Sequence, residues 1–248
     1  MGLLNGIRES IAFLTIIPAG TKDGDWKVVA DYMWLFPIVG LIVGGIAAVL
    51  GSIFLPIFPP SISSALALFF LLSLTGFHHL DGLLDFGDAI MYRGTVEKRR
   101  AIMQDVDTGV GGFGLGFFVL LIAFLSINEF LKKGGSLFLI LVTAEVLAKL
   151  SMVTASYLGK PFHEGMGSVF TDAMKKSHAK LLLAVVISAI ILYFMLQLNA
   201  FILIIVSLFS SLVLVWISNQ LLGGISGDTL GAINEVIRTV IMLALVVI

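Results

Sequence analysis

Between Lys180 and Asp228 the chain runs without one charged side chain. A single membrane-crossing helix needs roughly 20 apolar residues, so this stretch holds two, about 180–198 and 200–218. Only Asn199-Ala200 separates them, which implies a tight hairpin. Five further runs have the same character: about 33–55, 62–78, 113–131, 136–158 and 229–248. In hydrocarbon every backbone polar group must be satisfied internally, and continuous apolar runs of this length do so as helices. With 58% hydrophobic residues against 12% charged, a soluble domain has no interior large enough for the remainder. The expected fold is all-α: a polytopic membrane protein of about seven transmembrane helices. No repeat or linker divides residues 1–248, which read as one membrane-embedded domain. At the N-terminus, Leu3, Leu4, Ile7, Ile11 and Leu14 recur at helical spacing, the pattern of an amphipathic helix at a membrane surface. Pro18 ends that apolar stretch without the small-residue site of a cleaved signal peptide.

Lysine and arginine set the orientation. Arg8, Lys22 and Lys27 precede the first span. Arg93, Lys98, Arg99 and Arg100 follow the second, and Lys160, Lys175, Lys176 and Lys180 follow the fourth. The opposite side has only Lys132 and Lys133, so the N-terminus is expected in the cytoplasm. The same topology puts nearly all other polar chemistry on the cytoplasmic face and leaves short turns on the other.

That chemistry is acidic. Asp81, Asp85, Asp88, Asp105 and Asp107 follow the second apolar run closely. Carboxylates repel one another and are costly beside a bilayer, so a group of them suggests a bound cation. On a helix, His78, Asp81, Asp85 and Asp88 fall at i, i+3, i+7 and i+10, one face of hard oxygen ligands. Such a face suits Mg²⁺ that keeps part of its water and also holds a substrate phosphate. Cysteine is absent, which excludes thiolate ligands and disulfides, and an oxygen-rich set favours a hard cation over zinc.

Other residues fit the same picture. Gly109, Gly111, Gly112, Gly114 and Gly116 open a helix, either as N-terminal amides suited to phosphate or as small residues for close helix packing. Arg99 and Arg100 stand between two acidic groups, where one of them fits a diphosphate. Glu145 and Lys149 lie at i, i+4 inside a span, as an ion pair or as a phosphate contact. Asp228 stands in a glycine-rich turn, as a helix cap or as a contact to metal or to a substrate hydroxyl. Glu235 and Arg238 form a pair or line a cavity floor. Methionine and phenylalanine stripes elsewhere read as lipid-facing or as packing surface.

Taken together the motifs resemble a known family. His79-Leu80-Asp81-Gly82-Leu83-Leu84-Asp85-Phe86-Gly87-Asp88, then Arg99-Arg100-Ala101-Ile102-Met103-Gln104-Asp105 and Gly109, are similar to cobalamin synthase, the adenosylcobinamide-GDP ribazoletransferase family. Phe13-Leu14-Thr15, Phe36-Pro37-Ile38-Val39-Gly40 and Gly227-Asp228-Thr229-Leu230-Gly231-Ala232 extend the resemblance along the chain. It implies an integral enzyme of the inner (cytoplasmic) membrane that uses Mg²⁺. That enzyme joins adenosylcobinamide-GDP to α-ribazole or its 5′-phosphate and releases GMP, late in cobalamin biosynthesis. It implies catalytic roles for His79, Asp81, Asp85 and Asp88, metal contacts from Asp81, Asp85, Asp88 and Asp105, and substrate contacts from Arg99, Arg100, Lys149, Gly109 and Asp228. The family pattern favours His79 and the helical face favours His78. Lys149 stands where the family often has arginine, and Asp107 stands where a basic or neutral residue is expected.

Two rival classes bound this reading. A CDP-alcohol phosphotransferase would carry Asp-Gly-x-x-Ala-Arg, but Asp85-Phe86 occupies the last two places. A cation transporter would place its acids at mid-membrane with access to both sides. Besides the substrates, the lipid bilayer is the one partner the pattern names; nothing in it points to nucleic acid, and it leaves a homo-oligomer open.

Overall fold

The computed structural model describes residues 2–20 and 26–248; Lys22, counted above for orientation, lies outside them. Among the described residues the structure is helical throughout. In chain order the α-helices are α1 (Leu3–Leu14), α2 (Trp26–Asp31), α3 (Phe36–Ser52), α4 (Pro60–Leu74), α5 (His78–Met91) and α6 (Val96–Ile102), then α7 (Val110–Lys132), α8 (Leu137–Leu158), α9 (Met166–Lys175), α10 (His178–Leu196), α11 (Asn199–Leu221) and α12 (Gly227–Val247). Six are long and apolar enough to cross a bilayer: α3 with the turn before it (Met33–Ser52), α7, α8, α10, α11 and α12. The protein is a multi-pass membrane protein, and the hairpin after Leu196 is as short as expected.

The expected span at 62–78 differs. Helix α4 has 15 residues, about 22 Å at 1.5 Å per residue, short of the roughly 30 Å hydrocarbon core. The chain then bends by 93° into α5. Gly76 and Phe77 make the bend in left-handed conformation, at φ 62° and 59°. Glycine adopts it freely and phenylalanine does not, so surrounding contacts must hold Phe77 there. The acidic segment is therefore the arm of a bent pair. It is a seventh crossing only if α4 and α5 are counted together.

Helix α8 is the axis of the bundle, with every residue from Ile140 to Ser156 buried. It packs on α3, α10, α11 and α12. Lipid offers no hydrophobic drive for helix pairing, so close approach through small residues takes its place. In α3, a β-carbon at Gly40 would lie 2.6 Å from the Glu145 carbonyl oxygen, and one at Gly44 would lie 2.8 Å from that of Leu141. Helix α10 lies at the periphery and turns Leu182, Ile190 and Phe194 outward.

Helix α1 forms as predicted, but with its apolar residues divided. Leu3 and Leu4 are exposed, while Glu9, Ser10 and Leu14 are buried. The helix leaves leucines exposed and turns a carboxylate toward the protein.

The connecting elements gather at one end of the bundle. Helix α2 packs on α9, and α1 packs on α2. The α8–α9 and α11–α12 connections pair: the Ile225 N–H donates to the Lys160 carbonyl at 2.7 Å, and the Phe162 N–H donates to the Ile225 carbonyl at 3.4 Å. At the far end, Lys133 Nζ donates to the Val246 carbonyl at 2.8 Å. Lys160 and Lys133, expected on opposite faces, thus lie at opposite ends of α12.

Candidate active site

Helix α5 is wedged between α12 and α7. Its approach to α12 depends on Gly82, where a β-carbon would lie 2.6 Å from the Asp228 carbonyl oxygen. This crossing brings the start of α5 against the start of α12. Ser226, not Asp228, caps α12: its Oγ accepts the Thr229 N–H at 3.2 Å. Asp228 is thereby left exposed at the helix N-terminus.

Asp81, Asp85 and Asp228 form the acidic side of the site. Burial pushes the Asp85 carboxyl up to about 7, and the neighbouring charges of Asp81, Asp228 and Asp88 push in the same direction. A carboxyl surrounded by other carboxylates in this way accepts a proton or a cation. Asp81 and Asp228 also line a cavity of about 550 Å³, together with His78, His79, Gly227 and Gly231. Its remaining wall is largely apolar and comes from α1, α2, α3, α8, α9 and the turn before α3.

Both histidines reach this cavity, in different states. His78 is exposed and His79 is buried. The His79 Nδ1 has no hydrogen-bond partner. Burial holds its imidazole well below the usual histidine range, with the charges of Lys149, Arg238 and His78 acting the same way. His79 is therefore a neutral ring at neutral pH.

The expected single acidic face is divided. Asp88 turns toward α7, where its Oδ2 accepts the Gly109 N–H at 2.7 Å and its Oδ1 accepts the Gly112 N–H at 2.8 Å. Those amides hold a carboxylate of the protein itself, so Gly109 does not present a free amide to phosphate. Asp105 and Asp107 are exposed; with Asp88 they line a second, shallower hollow. Asp105 Oδ1 accepts the Asp107 N–H at 3.3 Å, a local turn. Among the described residues no three histidine, aspartate or glutamate side chains converge as a ligand shell. What fits a hard divalent cation is the donor chemistry of Asp81, Asp85 and Asp228 and the concentrated charge around Asp85.

The arginines are engaged. Arg99 Nη1 donates to the Ala89 and Ile90 carbonyls at 2.7 and 2.8 Å, closing the end of α5. Arg100 Nε donates to the Leu222 carbonyl at 2.7 Å, and its guanidinium lies 5.1 Å from the centre of the Phe162 ring. Together they sew α6 to α5 and to both loops at this end.

Lys149 does not reach the cavity. It is fully buried and donates to Asn234 Oδ1 at 2.7 Å, with Glu145 Oε2 at 3.5 Å. Arg238 bonds both Glu145 and Glu235. The two intrahelical pairs expected from spacing are thus one network across α8 and α12, with two acids balancing two bases.

Sequence reasoning missed the far wall of the cavity. Glu9, Phe13, Met152, Met166 and Phe170 line it, though the methionines and phenylalanines read as packing or lipid surface. Glu9, an acid within an amphipathic helix, was the one available signal.

The cobalamin-5-phosphate synthase family model matches residues 6–246. An adenosylcobinamide-GDP ribazoletransferase of Methanocella arvoryzae is 36% identical, across 95% of this chain and 93% of its own length. One of Halorubrum lacusprofundi is 34% identical, across 95% and 94%. One of Pyrococcus abyssi is 31% identical, across 94% of each. No solved structure matches the chain. The match covers α1 to α12 and both sides of the acidic cavity, and the chain belongs to the cobalamin-5-phosphate synthase family.

Proposed function

We propose that this protein joins adenosylcobinamide-GDP to α-ribazole or its 5′-phosphate in the cytoplasmic membrane, at a site open to the cytoplasm, and releases GMP. A ribazole hydroxyl attacks the phosphorus bonded to cobinamide. The bond from that phosphorus to the GMP oxygen breaks, GMP departs with the bonding pair, and the hydroxyl proton passes to the protein. The observation that supports the reading is the crossing of α5 and α12 at Gly82, where Asp81 and Asp228 line one cavity and the charges of Asp81, Asp228 and Asp88 all act on the neighbouring Asp85 carboxyl.

Phosphoryl transfer consists mainly of positioning and charge neutralisation. Mg²⁺ held by Asp81, Asp85 and Asp228 would supply that neutralisation to a diphosphate. Asp88, Arg99, Arg100 and Gly109 fix α5 and α6 around the site. A carboxylate, with Asp81 lining the cavity, or His79 accepts the hydroxyl proton. The basic residues of the same end favour the cytoplasm.

Labelled adenosylcobinamide-GDP and α-ribazole incubated with purified protein should give one GMP per cobamide formed, and a chelator should stop both. A CDP-alcohol phosphotransferase would leave this donor intact, and a cation transporter would release no GMP; either result would sink the proposal.

A further inference from the structure

The cavity beside Asp81 and Asp228 is built for a flat, uncharged group. Its volume of about 550 Å³ falls in the range, roughly 300–1,000 Å³, of pockets that enclose a drug-sized molecule. A nucleoside with a bicyclic base is of that size, and a corrin macrocycle carrying a nucleotide is not. Phe13 and Phe36 each pack against Phe170, at 5.4 and 6.2 Å between ring centres and tilted by 49° and 64°. Phe36 and Phe170 are fully buried and back the wall, and the partly exposed Phe13 is the ring of the three that an enclosed group can pack on. Met166, partly exposed on the same wall, adds a thioether, which adapts to a ring's outline and makes favourable contacts at its edge.

Polarity supports the same assignment. The acids Glu9, Asp81 and Asp228 reach the cavity, and among the described residues no lysine or arginine does. Among the described residues a diphosphate inside it would meet the carboxylates of Asp81 and Asp228, which favours the donor's charged linkage at the rim. His78 and Asp81, both exposed, line the cavity on its acidic side.

On the reading of function above, we infer that this cavity is the acceptor subsite. It encloses the aromatic base of the ribazole and presents a ribose hydroxyl toward Asp81, Asp228 and His79, while the larger cobinamide donor stays outside. The residues that choose the base are then Ala12, Phe13 and Met166, none of which belongs to the acidic motif.

Equilibrium dialysis of labelled α-ribazole against the purified protein without donor tests binding apart from turnover. Ala12→Phe narrows the cavity and Met166→Ala widens it. In dialysis Ala12→Phe should weaken α-ribazole binding, and in turnover it should raise KM for α-ribazole with KM for the donor unchanged. A methylene-sized misfit is worth about 10- to 200-fold in discrimination. Met166→Ala should shift preference toward bases bulkier than dimethylbenzimidazole. If either variant moved the donor KM instead, or if both left the acceptor constants and the order of bases untouched, the subsite assignment would fail. If Ala12→Phe does not fold, Met166→Ala and the base series decide alone. A wild-type protein that releases no GMP but still binds α-ribazole, with binding weakened by Ala12→Phe, would overturn the function and leave this inference standing.

Discussion

Asp228 is available for chemistry because Ser226 relieves it of a structural duty. The serine hydroxyl takes the Thr229 amide, and the aspartate two residues on stays exposed beside Asp81. Asp228→Asn keeps the shape and removes the charge. It should lower kcat by about 100-fold or more, the scale seen on losing one transition-state contact, with the yield of inserted protein unchanged on a membrane blot. Ser226→Ala is the control for fold, since loss of a cap typically costs about 1 kcal/mol. Asp85 supplies a pH dependence. Its pKa is raised in the folded protein to about 7, so its contribution to stability is fully present below the ordinary carboxylate value, near 4. That contribution is lost as pH rises through 7. The melting temperature of chelator-treated protein should therefore fall from pH 5 to pH 8, and Asp85→Asn should flatten that fall. Equal slopes would show that Asp85 does not carry it.

Among elements, α5 does two jobs with one acidic face. Its first turns meet α12 through Gly82, and its last turn holds α7 through Asp88. Asp88→Ala removes an acceptor for two amides at the start of α7. Gly109 is exposed and Gly112 is buried, so the cost falls on the Gly112 N–H, where an unpaired buried donor costs about 1–3 kcal/mol. We expect a lower detergent melting temperature with the acceptor KM little changed, and the reverse pattern would make Asp88 a ligand instead. Helical phase told where these acids point from α5, and the structure keeps that phase. It could not tell that α7 would draw Asp88 away from Asp81, because that depends on a neighbouring helix whose approach spacing does not encode. The break between α4 and α5 was only half legible: a run too short to cross is visible in sequence, but a 93° bend through Gly76 and Phe77 is not. The pairs Glu145–Lys149 and Glu235–Arg238 were legible singly as helix neighbours. Their fusion required knowing that α8 packs on α12.

For the whole molecule, that fusion locks the central helix to the last one. Removing one member of a buried, balanced set leaves an uncompensated charge, which costs about 3–5 kcal/mol. Lys149→Met should accordingly destabilise the protein far more than Lys98→Met, as read by thermal unfolding in detergent. Equal losses would mean that the network contributes little. The absence of cysteine makes orientation easy to measure. Lys98→Cys should react with an impermeant thiol reagent only from the cytoplasmic side, and Lys133→Cys only from the other; a reversed pattern would invert the proposed topology.

One structural asymmetry has a physiological consequence. The helices and loops that build the cavity crowd a single end, and the other end is little more than turns. Reactants that arrive and depart through the same surface carry no net charge across the bilayer. Turnover should then be indifferent to transmembrane voltage, and a cell that loses its energised state would keep this step running as long as its two reactants last.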